Sequence, residues 1–288
     1  MENILEIKNL SKRFRSFELS DLEFALPRGY ILGFIGPNGA GKSTTMKLIM
    51  NLIKRDNGDI KVLGMDNREQ EVEIKNKIGF VYDENYFYEE ATIKRMESLL
   101  SRFYKNWERD TFYEYLNRFK LDPKKKIKEL SRGLKTKFAL AVAFSHQAEL
   151  LLMDEPTAGL DPLVRSELLD ILLEFIRDEN KGVVFSTHIT SDLDKVADYI
   201  ALINEGKLVA YQTRDELLES YRVVKGDLHS LQRLDKKLLT GLKSNSYGFE
   251  ALIGADKISS LNSQEELLLE RPVLEDIMVF MARGHSYV

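Results

Sequence analysis

A glycine-rich segment constrains the fold of this chain more than any other feature of its sequence. The segment is Gly36-Pro-Asn-Gly-Ala-Gly-Lys-Ser43, and it matches the phosphate-binding loop pattern G-x-x-x-x-G-K-[S/T] at every position. The apolar run at residues 30–35 predicts a buried strand directly before it, and residues 44–50 predict a helix directly after it. Strand, glycine loop and helix therefore follow one another in the order that a nucleotide phosphate site needs.

The residue types in this loop suit the binding of phosphate. Glycine lets the backbone adopt conformations that a side chain would block, so that successive N–H groups can converge on phosphate oxygens. Lys42 can reach the terminal phosphates, and the Ser43 hydroxyl can ligate a bridging Mg²⁺. The candidate nucleotide-binding residues of the loop are Gly36, Pro37, Asn38, Gly39, Ala40, Gly41, Lys42, Ser43 and Thr44.

Composition limits the classes of protein to which the chain can belong. Its 288 residues allow one large domain and a smaller one, and a hydrophobic content of 43% allows a substantial core. The net charge of −4 argues against a nucleic-acid partner, and the absence of cysteine excludes disulfides and thiolate metal sites. The first residues do not resemble a secretory signal, and no stretch approaches the ~20 apolar residues that span a bilayer. We therefore expect any association with a membrane to depend on a partner.

Short apolar segments alternate with helical patterns along most of the chain. This alternation predicts a mainly parallel sheet that is covered by helices on both faces. From about residue 86 to 135, aromatic and charged residues recur at helical spacing, which predicts an inserted helical subdomain. We expect a first domain over residues 1–212 and a small C-terminal accessory domain over residues 213–288, where nucleotide-type motifs stop.

A second apolar strand pattern ends in two acids, Asp154 and Glu155. One acid at the end of such a strand can hold the magnesium shell, and a second can polarise water. On the residues alone, capping of the following helix explains the pair equally well. Three further segments surround this one in sequence: Leu130-Ser-Arg-Gly-Leu134 before it, Ala158-Gly-Leu-Asp161 directly after it, and His188 after the next predicted strand.

With these motifs in this order, the chain from about residue 4 to 212 resembles the ATP-binding subunits of ABC transporters. The resemblance implies an α/β fold, that of a P-loop NTPase of ABC type. Its parts would be an N-terminal antiparallel β-subdomain, a parallel sheet core, an inserted α-helical subdomain and a small C-terminal α+β domain. ATP and Mg²⁺ are the implied ligands.

The resemblance also implies roles for single residues. Phe14 corresponds to the aromatic residue that stacks on adenine, although on its own it indicates a core aromatic. Asp154 corresponds to the magnesium-binding aspartate, and Glu155 to the general base or water-polarising glutamate. His188 corresponds to the switch histidine at the γ-phosphate, whereas a lone histidine after a strand is more often structural. Ser131, Arg132 and Gly133 fall in the signature motif, which in this family completes the site of the opposing subunit.

Two positions depart from the family pattern. The segment Tyr82-Asp-Glu84 stands where the family usually has Gln, so Asp83 is a candidate catalytic residue and magnesium ligand that is shorter and charged. The signature reads Ser-Arg-Gly-Leu where Ser-Gly-Gly-Gln is usual. Arg132 could therefore bring an extra charge to a phosphate or face solvent, and the residues alone leave both alternatives open.

The architecture is similar to that of bacterial exporter subunits in bacitracin-resistance, lantibiotic-immunity and phenol-soluble-modulin export systems. This similarity implies an ATP-hydrolysing motor subunit that exports a peptide, antibiotic or other amphipathic compound. Its expected partners are transmembrane permease subunits and a second ATPase subunit, as a homodimer or heterodimer. The expected location is the cytoplasm, peripheral on the inner face of the cell membrane. The alternative is a soluble ABC ATPase without a membrane partner, which acts on ribosomes or DNA.

Overall fold

The computed structural model describes residues 2–82, 86–261 and 267–283. The first half of the chain contains β1 (Asn3–Arg13), β2 (Glu18–Pro27), β3 (Ile31–Ile35), α1 (Lys42–Ile49), β4 (Asn57–Val62), β5 (Met65–Asp66), α2 (Glu71–Lys75), β6 (Ile78–Val81), α3 (Ile93–Leu100), α4 (Arg109–Arg118) and α5 (Arg132–Ser145). The second half contains β7 (Leu150–Asp154), α6 (Pro162–Phe175), β8 (Gly182–Thr187), α7 (Thr190–Val196), β9 (Tyr199–Asn204), β10 (Lys207–Thr213), α8 (Arg214–Glu219), β11 (Tyr221–Gly226), α9 (Leu228–Arg233), β12 (Leu239–Asn245), β13 (Gly248–Gly254), β14 (Leu268–Glu270) and α10 (Leu274–Arg283).

The central sheet has six strands in the order β10–β9–β3–β8–β7–β6. Its neighbouring strands are parallel, except for β9 and β10, which form an antiparallel hairpin. Successive side chains point to opposite faces, so Leu151 and Met153 of β7 enter one hydrophobic core while Leu150 and Leu152 enter the other. Strands β3, β7 and β8 are buried at every residue because both faces of the sheet are covered there.

A second, antiparallel sheet near the N-terminus has the strand order β2–β1–β4–β5. Strand β1 extends from Asn3 to Arg13 and continues beyond a shift in register. The shift lies between Ile7 and Leu10, and Asn9 within it has a φ of 48°. Such a bulge interrupts the alternation of side chains, so the alternating sequence pattern is shorter than the strand itself.

The segment from residue 86 to 135 is helical, as expected. Phe112 and Leu116 of α4 pack against Phe138 of α5, whereas Phe103 is exposed. Helix α5 begins at Arg132 and continues beneath β6, so the expected subdomain boundary near residue 135 lies inside a continuous helix. The helical segment and the parallel sheet therefore share one core.

The C-terminal part forms a third sheet, with the strand order β12–β13–β11–β14, and it ends in α10. Thr213 and Glu216 form the capping box that the sequence predicts at the start of α8. Helix α10 buries Leu274, Ile277 and Phe280 in the same core as α5, α6 and α7, and it packs on α7. Among the residues that the structure describes, no helix has the length and apolar character needed to cross a bilayer.

Candidate functional site

The phosphate loop joins β3 to α1, and close contacts shape it at two of its glycines. A Cβ atom on Gly36 would lie 2.1 Å from the carbonyl oxygen of Ile203 on β9, so a larger residue would displace the loop. Gly41 has a φ of 116°, and a Cβ atom there would lie 3.0 Å from the ring of Phe17. Helix α1 then begins at Lys42, so the loop leads directly into the positive end of a helix.

Lys42 lies inside this loop and not in solvent. Its side chain is 6% exposed, and Nζ donates hydrogen bonds to the carbonyl oxygens of Gly36 at 2.8 Å and Pro37 at 3.3 Å. Nζ also lies 3.5 Å from Oε1 of Glu155. Burial lowers the pKa of Lys42, and the nearby Glu155 carboxylate opposes that shift. A phosphate in the loop would supply the opposite charge that a buried ammonium needs.

Asp154 is the last residue of β7 and is 1% exposed. Its Oδ1 accepts a hydrogen bond from Oγ of Ser186 on β8 at 3.0 Å, and the Ser43 hydroxyl also hydrogen-bonds to the carboxylate. Burial raises the pKa of Asp154, and these two hydrogen bonds oppose the rise. A hydroxyl and a carboxylate oxygen are ligands that Mg²⁺ prefers, together with water and substrate phosphate. These residues therefore fit a magnesium ion.

The described ranges contain no cluster of three or more acids and histidines that could hold a metal. A magnesium ion beside Ser43 and Asp154 would thus take its remaining ligands from phosphate and water, which is usual for this ion at nucleotides.

Glu155 turns away from β7 in an unusual backbone conformation. Its φ is 50°, a left-handed value that costs free energy for a residue with a side chain and that is enriched at functional sites. Oε2 lies 2.8 Å from Nδ1 of His188 and accepts a hydrogen bond from Oγ1 of Thr187 at 3.3 Å. The carboxylate thus lies between Lys42 and His188 at the carboxyl end of the parallel sheet.

The signature residues lie elsewhere, at the start of α5. Oγ of Ser131 caps this helix by accepting a hydrogen bond from the backbone N–H of Leu134 at 3.4 Å, and Ser131 is exposed. Gly133 is buried, and a Cβ atom there would lie 2.9 Å from Cγ1 of Val164 on α6. These contacts of Ser131 and Gly133 are with α5 and α6 and not with the phosphate loop of the same chain.

Arg132 is exposed, and its guanidinium lies against the segment at residues 158–161. A Cβ atom on Gly159 would lie 3.2 Å from Nη1 of Arg132. Arg132 also lines a cavity of about 40 Å³ together with Tyr82 and Glu155. The sequence leaves two alternatives for Arg132, a contact with a phosphate or exposure to solvent. The structure adds a third, a contact with residues of its own chain.

The other candidates lie around the phosphate loop. Phe14 is exposed, and its ring centroid lies 6.3 Å from that of Phe17, the residue that borders Gly41. Within the loop, Ala40 is buried, Pro37 and Thr44 are half-buried, and Asn38 and Gly39 are exposed. Asp83 lies outside the described residues.

Sequence reasoning missed two side chains that orient the acids. Ser186 donates a hydrogen bond to Asp154, and Thr187 donates one to Glu155. The available signal was a pair of hydroxyl residues at the end of an otherwise apolar strand, because that end lies at the edge of the sheet where sites form.

The family model described as ABC transporter matches residues 19–158. The bacitracin transport ATP-binding protein BcrA of Bacillus licheniformis is 31% identical over 225 residues, which cover 77% of this chain and 74% of that protein. This chain belongs to the ATP-binding proteins of ABC transporters. The lantibiotic transport ATP-binding protein SrtF of Streptococcus pyogenes is 31% identical over 215 residues, which cover 74% of this chain and 92% of that protein.

Solved structures agree with this family. The ATP-binding subunit of an ABC transporter superposes with a TM-score of 0.68 at 28% identity, covering 74% of this chain and 91% of that one. A nucleotide-free ATP-binding cassette from an ABC transporter superposes with a TM-score of 0.62 at 24% identity and supports the fold alone. The ABC ATPase therefore binds ATP and hydrolyses it, and ATP-binding subunits of this family work with transmembrane permease components.

Proposed function

We propose that this ABC ATPase is the motor subunit of an exporter, in which two ATP-binding chains close around two ATP molecules. One observation supports the chemistry most strongly: Lys42, the adjacent acids Asp154 and Glu155, and His188 come from three segments of the chain and meet beside the phosphate loop. Such a convergence of opposite charges at the end of a parallel sheet is costly unless a ligand uses it.

The proposed roles follow from the position of each group. Lys42 binds the terminal phosphates from inside the loop, and Ser43 with Asp154 holds Mg²⁺, whose charge neutralises the phosphate oxygens. Glu155 accepts the proton of the attacking water. His188 contacts the γ-phosphate and, through Nδ1, keeps the Glu155 carboxylate in place.

In the structure, Lys42, Glu155 and His188 are paired with one another. Glu155 accepts from His188 through one oxygen and lies beside Lys42 with the other. The γ-phosphate of ATP competes for Lys42, whereas His188 stays at the other oxygen. We therefore propose that ATP binding frees the Glu155 carboxylate to accept a proton, so that the base becomes available only when substrate is present.

The proposed pairing of two chains is supported by the position of the signature residues. Ser131 and Arg132 are exposed at the N-terminus of the 14-residue helix α5, and the positive end of a helix attracts phosphate. A partner arranged head to tail would place these residues over the ATP of the opposing chain. The partner is a second copy of this chain or another ATPase subunit of the same family.

The membrane partner is proposed to bind a groove near α3. Apolar side chains line a cavity of about 180 Å³ here, among them Phe80, Leu100 and Tyr104. Tyr88 and Phe103 are 71% and 75% exposed on the same segment of the chain. Exposed aromatic side chains next to an apolar groove are typical of a protein-binding surface. We propose that this groove receives a short helix of a transmembrane permease, which holds the chain at the inner face of the cell membrane.

The transported compound is inferred from the relatives alone. Two of them are named for the transport of bacitracin and of a lantibiotic. We propose that this chain drives the export of a peptide, antibiotic or other amphipathic compound.

The groove is tested by replacing the two exposed aromatics that are next in sequence to its lining residues Phe87 and Tyr104. The double variant Tyr88→Ser with Phe103→Ser should lose the permease during purification from detergent-solubilised membranes and should still bind ATP, because both residues lie outside the phosphate loop. Tyr247→Ser is the matched control, since Tyr247 is a 91% exposed aromatic in the C-terminal sheet. Equal retention of the permease by all three proteins would exclude the groove. Absence of any membrane partner from the wild type would favour the soluble ABC ATPase.

A further inference from the structure

His188 lies in a very short connection between two elements. Strand β8 ends at Thr187 and α7 begins at Thr190, so only His188 and Ile189 lie between them. One end of this connection is fixed, because β8 pairs in parallel with both β3 and β7. The other end depends on the position of the first turn of α7. Whatever holds that turn therefore also sets the backbone of His188.

The first turn of α7 is held by an arginine from another helix. Nη2 of Arg165, on α6, donates a hydrogen bond to Oγ of Ser191 at 2.8 Å. Nε of the same guanidinium donates to Oδ1 of Asp192. The backbone N–H of Asp192 in turn donates to the carbonyl oxygen of Ile189 at 3.2 Å, the residue next to His188. A chain of direct contacts thus joins Arg165 to the connection that carries His188.

Asp192 depends on this arginine. Its side chain is 0% exposed, and within the described part of the chain its Oδ2 has no hydrogen-bond partner. A buried carboxylate without a paired cation must either gain water or move. Since Asp192 belongs to the first turn of α7, such a movement would displace the residues that lead back to His188.

The location of Arg165 is not explained by the stability of its own helix. Arg165 is the fourth residue of α6, close to the positive end of that helix, where a cation is unfavourable. The same helix begins directly after Asp161, which caps it, so the first turn of α6 directly follows the segment 158–161 that contacts Arg132. The guanidinium of Arg165 is instead stabilised by its hydrogen bonds to Ser191 and Asp192 of α7.

The imidazole of His188 is sensitive to its backbone position. The side chain is 44% exposed, so few packed neighbours hold the ring, and it meets Glu155 through one contact of 2.8 Å at Nδ1. A displacement of a catalytic contact by about 1 Å can lower a rate by roughly 10²-fold.

We propose that Arg165 and Asp192 are positioning residues for ATP hydrolysis, which hold the first turn of α7 so that His188 meets Glu155 and the γ-phosphate. This inference rests on the proposed roles of Glu155 and His188. Arg165 and Asp192 do not touch the substrate themselves; they act through His188.

The experiment measures the turnover number and the ATP affinity of Arg165→Ala, Arg165→Lys and Asp192→Asn in the full-length chain. We expect turnover to fall by about 10- to 100-fold in Arg165→Ala and Asp192→Asn, with ATP affinity within about twofold of wild type, because the phosphate loop is untouched. Arg165→Lys keeps the positive charge but cannot make both hydrogen bonds of the guanidinium. Its turnover number should therefore lie between those of wild type and Arg165→Ala. If Arg165→Ala does not fold, Arg165→Lys and Asp192→Asn test the same contact.

A matched control separates positioning from stability. Arg55 is a buried arginine that pairs with Asp66 at 2.8 Å, and its neighbour Asn67 contacts the C-terminal end of α1, opposite to the end that joins the phosphate loop. Arg55→Lys should lower the melting temperature without changing the turnover number at temperatures below thermal unfolding. If it lowers turnover as much as Arg165→Lys, the effect of Arg165 is one of general stability and the proposal is wrong.

The decisive comparison repeats Arg165→Ala in a His188→Ala background. If Arg165 acts through His188, its replacement should have little further effect once the imidazole is gone. An equal fold-loss with and without His188, or wild-type turnover in a folded Arg165→Ala variant, overturns the inference. Wild-type turnover in His188→Ala and in Glu155→Gln would instead overturn the proposed site.

Discussion

The phosphate-loop end of this ATPase and its signature end are built in opposite ways. At the phosphate loop, Lys42 is 6% exposed and Asp154 is 1% exposed, and their polar atoms have partners within the chain. At the start of α5, Ser131 and Arg132 are exposed. The phosphate-loop end can therefore bind nucleotide with its own residues, whereas at the signature end the N-terminus of α5 is exposed to solvent.

The difference follows from where the two ends lie in the fold. The phosphate loop, the two acids and His188 follow β3, β7 and β8, which are adjacent parallel strands whose carboxyl ends meet at one edge. The signature residues begin a helix that belongs to the inserted helical segment, and this segment has no strand in the central sheet. We infer that the first end determines binding and proton transfer, and that the second acts in association.

The largest effect is expected for Glu155→Gln. This change removes the proposed base but keeps its shape and hydrogen-bonding capacity, so turnover should fall by roughly 10²–10⁴-fold while ATP still binds. Phosphate release at saturating ATP is the measurement. Glu149→Gln is the matched control, because Glu149 directly precedes the other end of β7 and pairs with Arg28 at 3.2 Å. A similar loss in both variants would mean that Glu155 has no special role.

Lys42→Ala should have the next largest effect, and its main effect should be on ATP affinity and not on the turnover number. The variant removes the cation inside the loop, and contacts with charged groups are worth ~1.5–3 kcal/mol, so ATP affinity should fall about 10- to 100-fold. Nucleotide titration measures it, with Lys47→Ala on the same helix as a control. Wild-type affinity in Lys42→Ala would remove this residue from the site.

The smallest effect is expected at the signature end. Arg132→Ala should leave ATP binding by a single chain unchanged and should lower turnover about tenfold, since it removes one charged contact, worth ~1.5 kcal/mol, from the proposed interface. The loss should shrink as protein concentration rises, because association then becomes less limiting. If the isolated Arg132→Ala chain lost ATP binding, nucleotide binding and association would not be separate functions of the two ends.

The candidate site was largely predictable from the sequence because its motifs are local. The phosphate loop, the acids after β7 and His188 each follow a buried strand, and parallel strands bring such ends together. The length of β1 was not predictable, because the bulge near Asn9 interrupts its alternation. The contacts of Arg165 with α7 and of α10 with α7 were not predictable either, since they join segments far apart in the chain without a pattern of their own.

The C-terminal part illustrates the same limit. Sequence reasoning predicted an accessory domain from the lack of nucleotide motifs after residue 212. The structure places Leu274, Ile277 and Phe280 of α10 in the large core together with Leu193 of α7. The end of the chain thus packs against the helix that follows His188, although no residue type in α10 indicates a contact with the site.

The central claim, that the exposed signature end completes the site of another chain, is tested most directly by sedimentation of Glu155→Gln with and without Mg-ATP. Hydrolysis normally reopens the proposed sandwich, so a variant that binds ATP without hydrolysing it should accumulate as a dimer only when nucleotide is present. Adding Ser131→Ala and Arg132→Ala to the same chain should return it to the monomer. A Glu155→Gln chain that stays monomeric at saturating ATP, alone and when mixed with candidate ATPase partners of the same family, would contradict the claim.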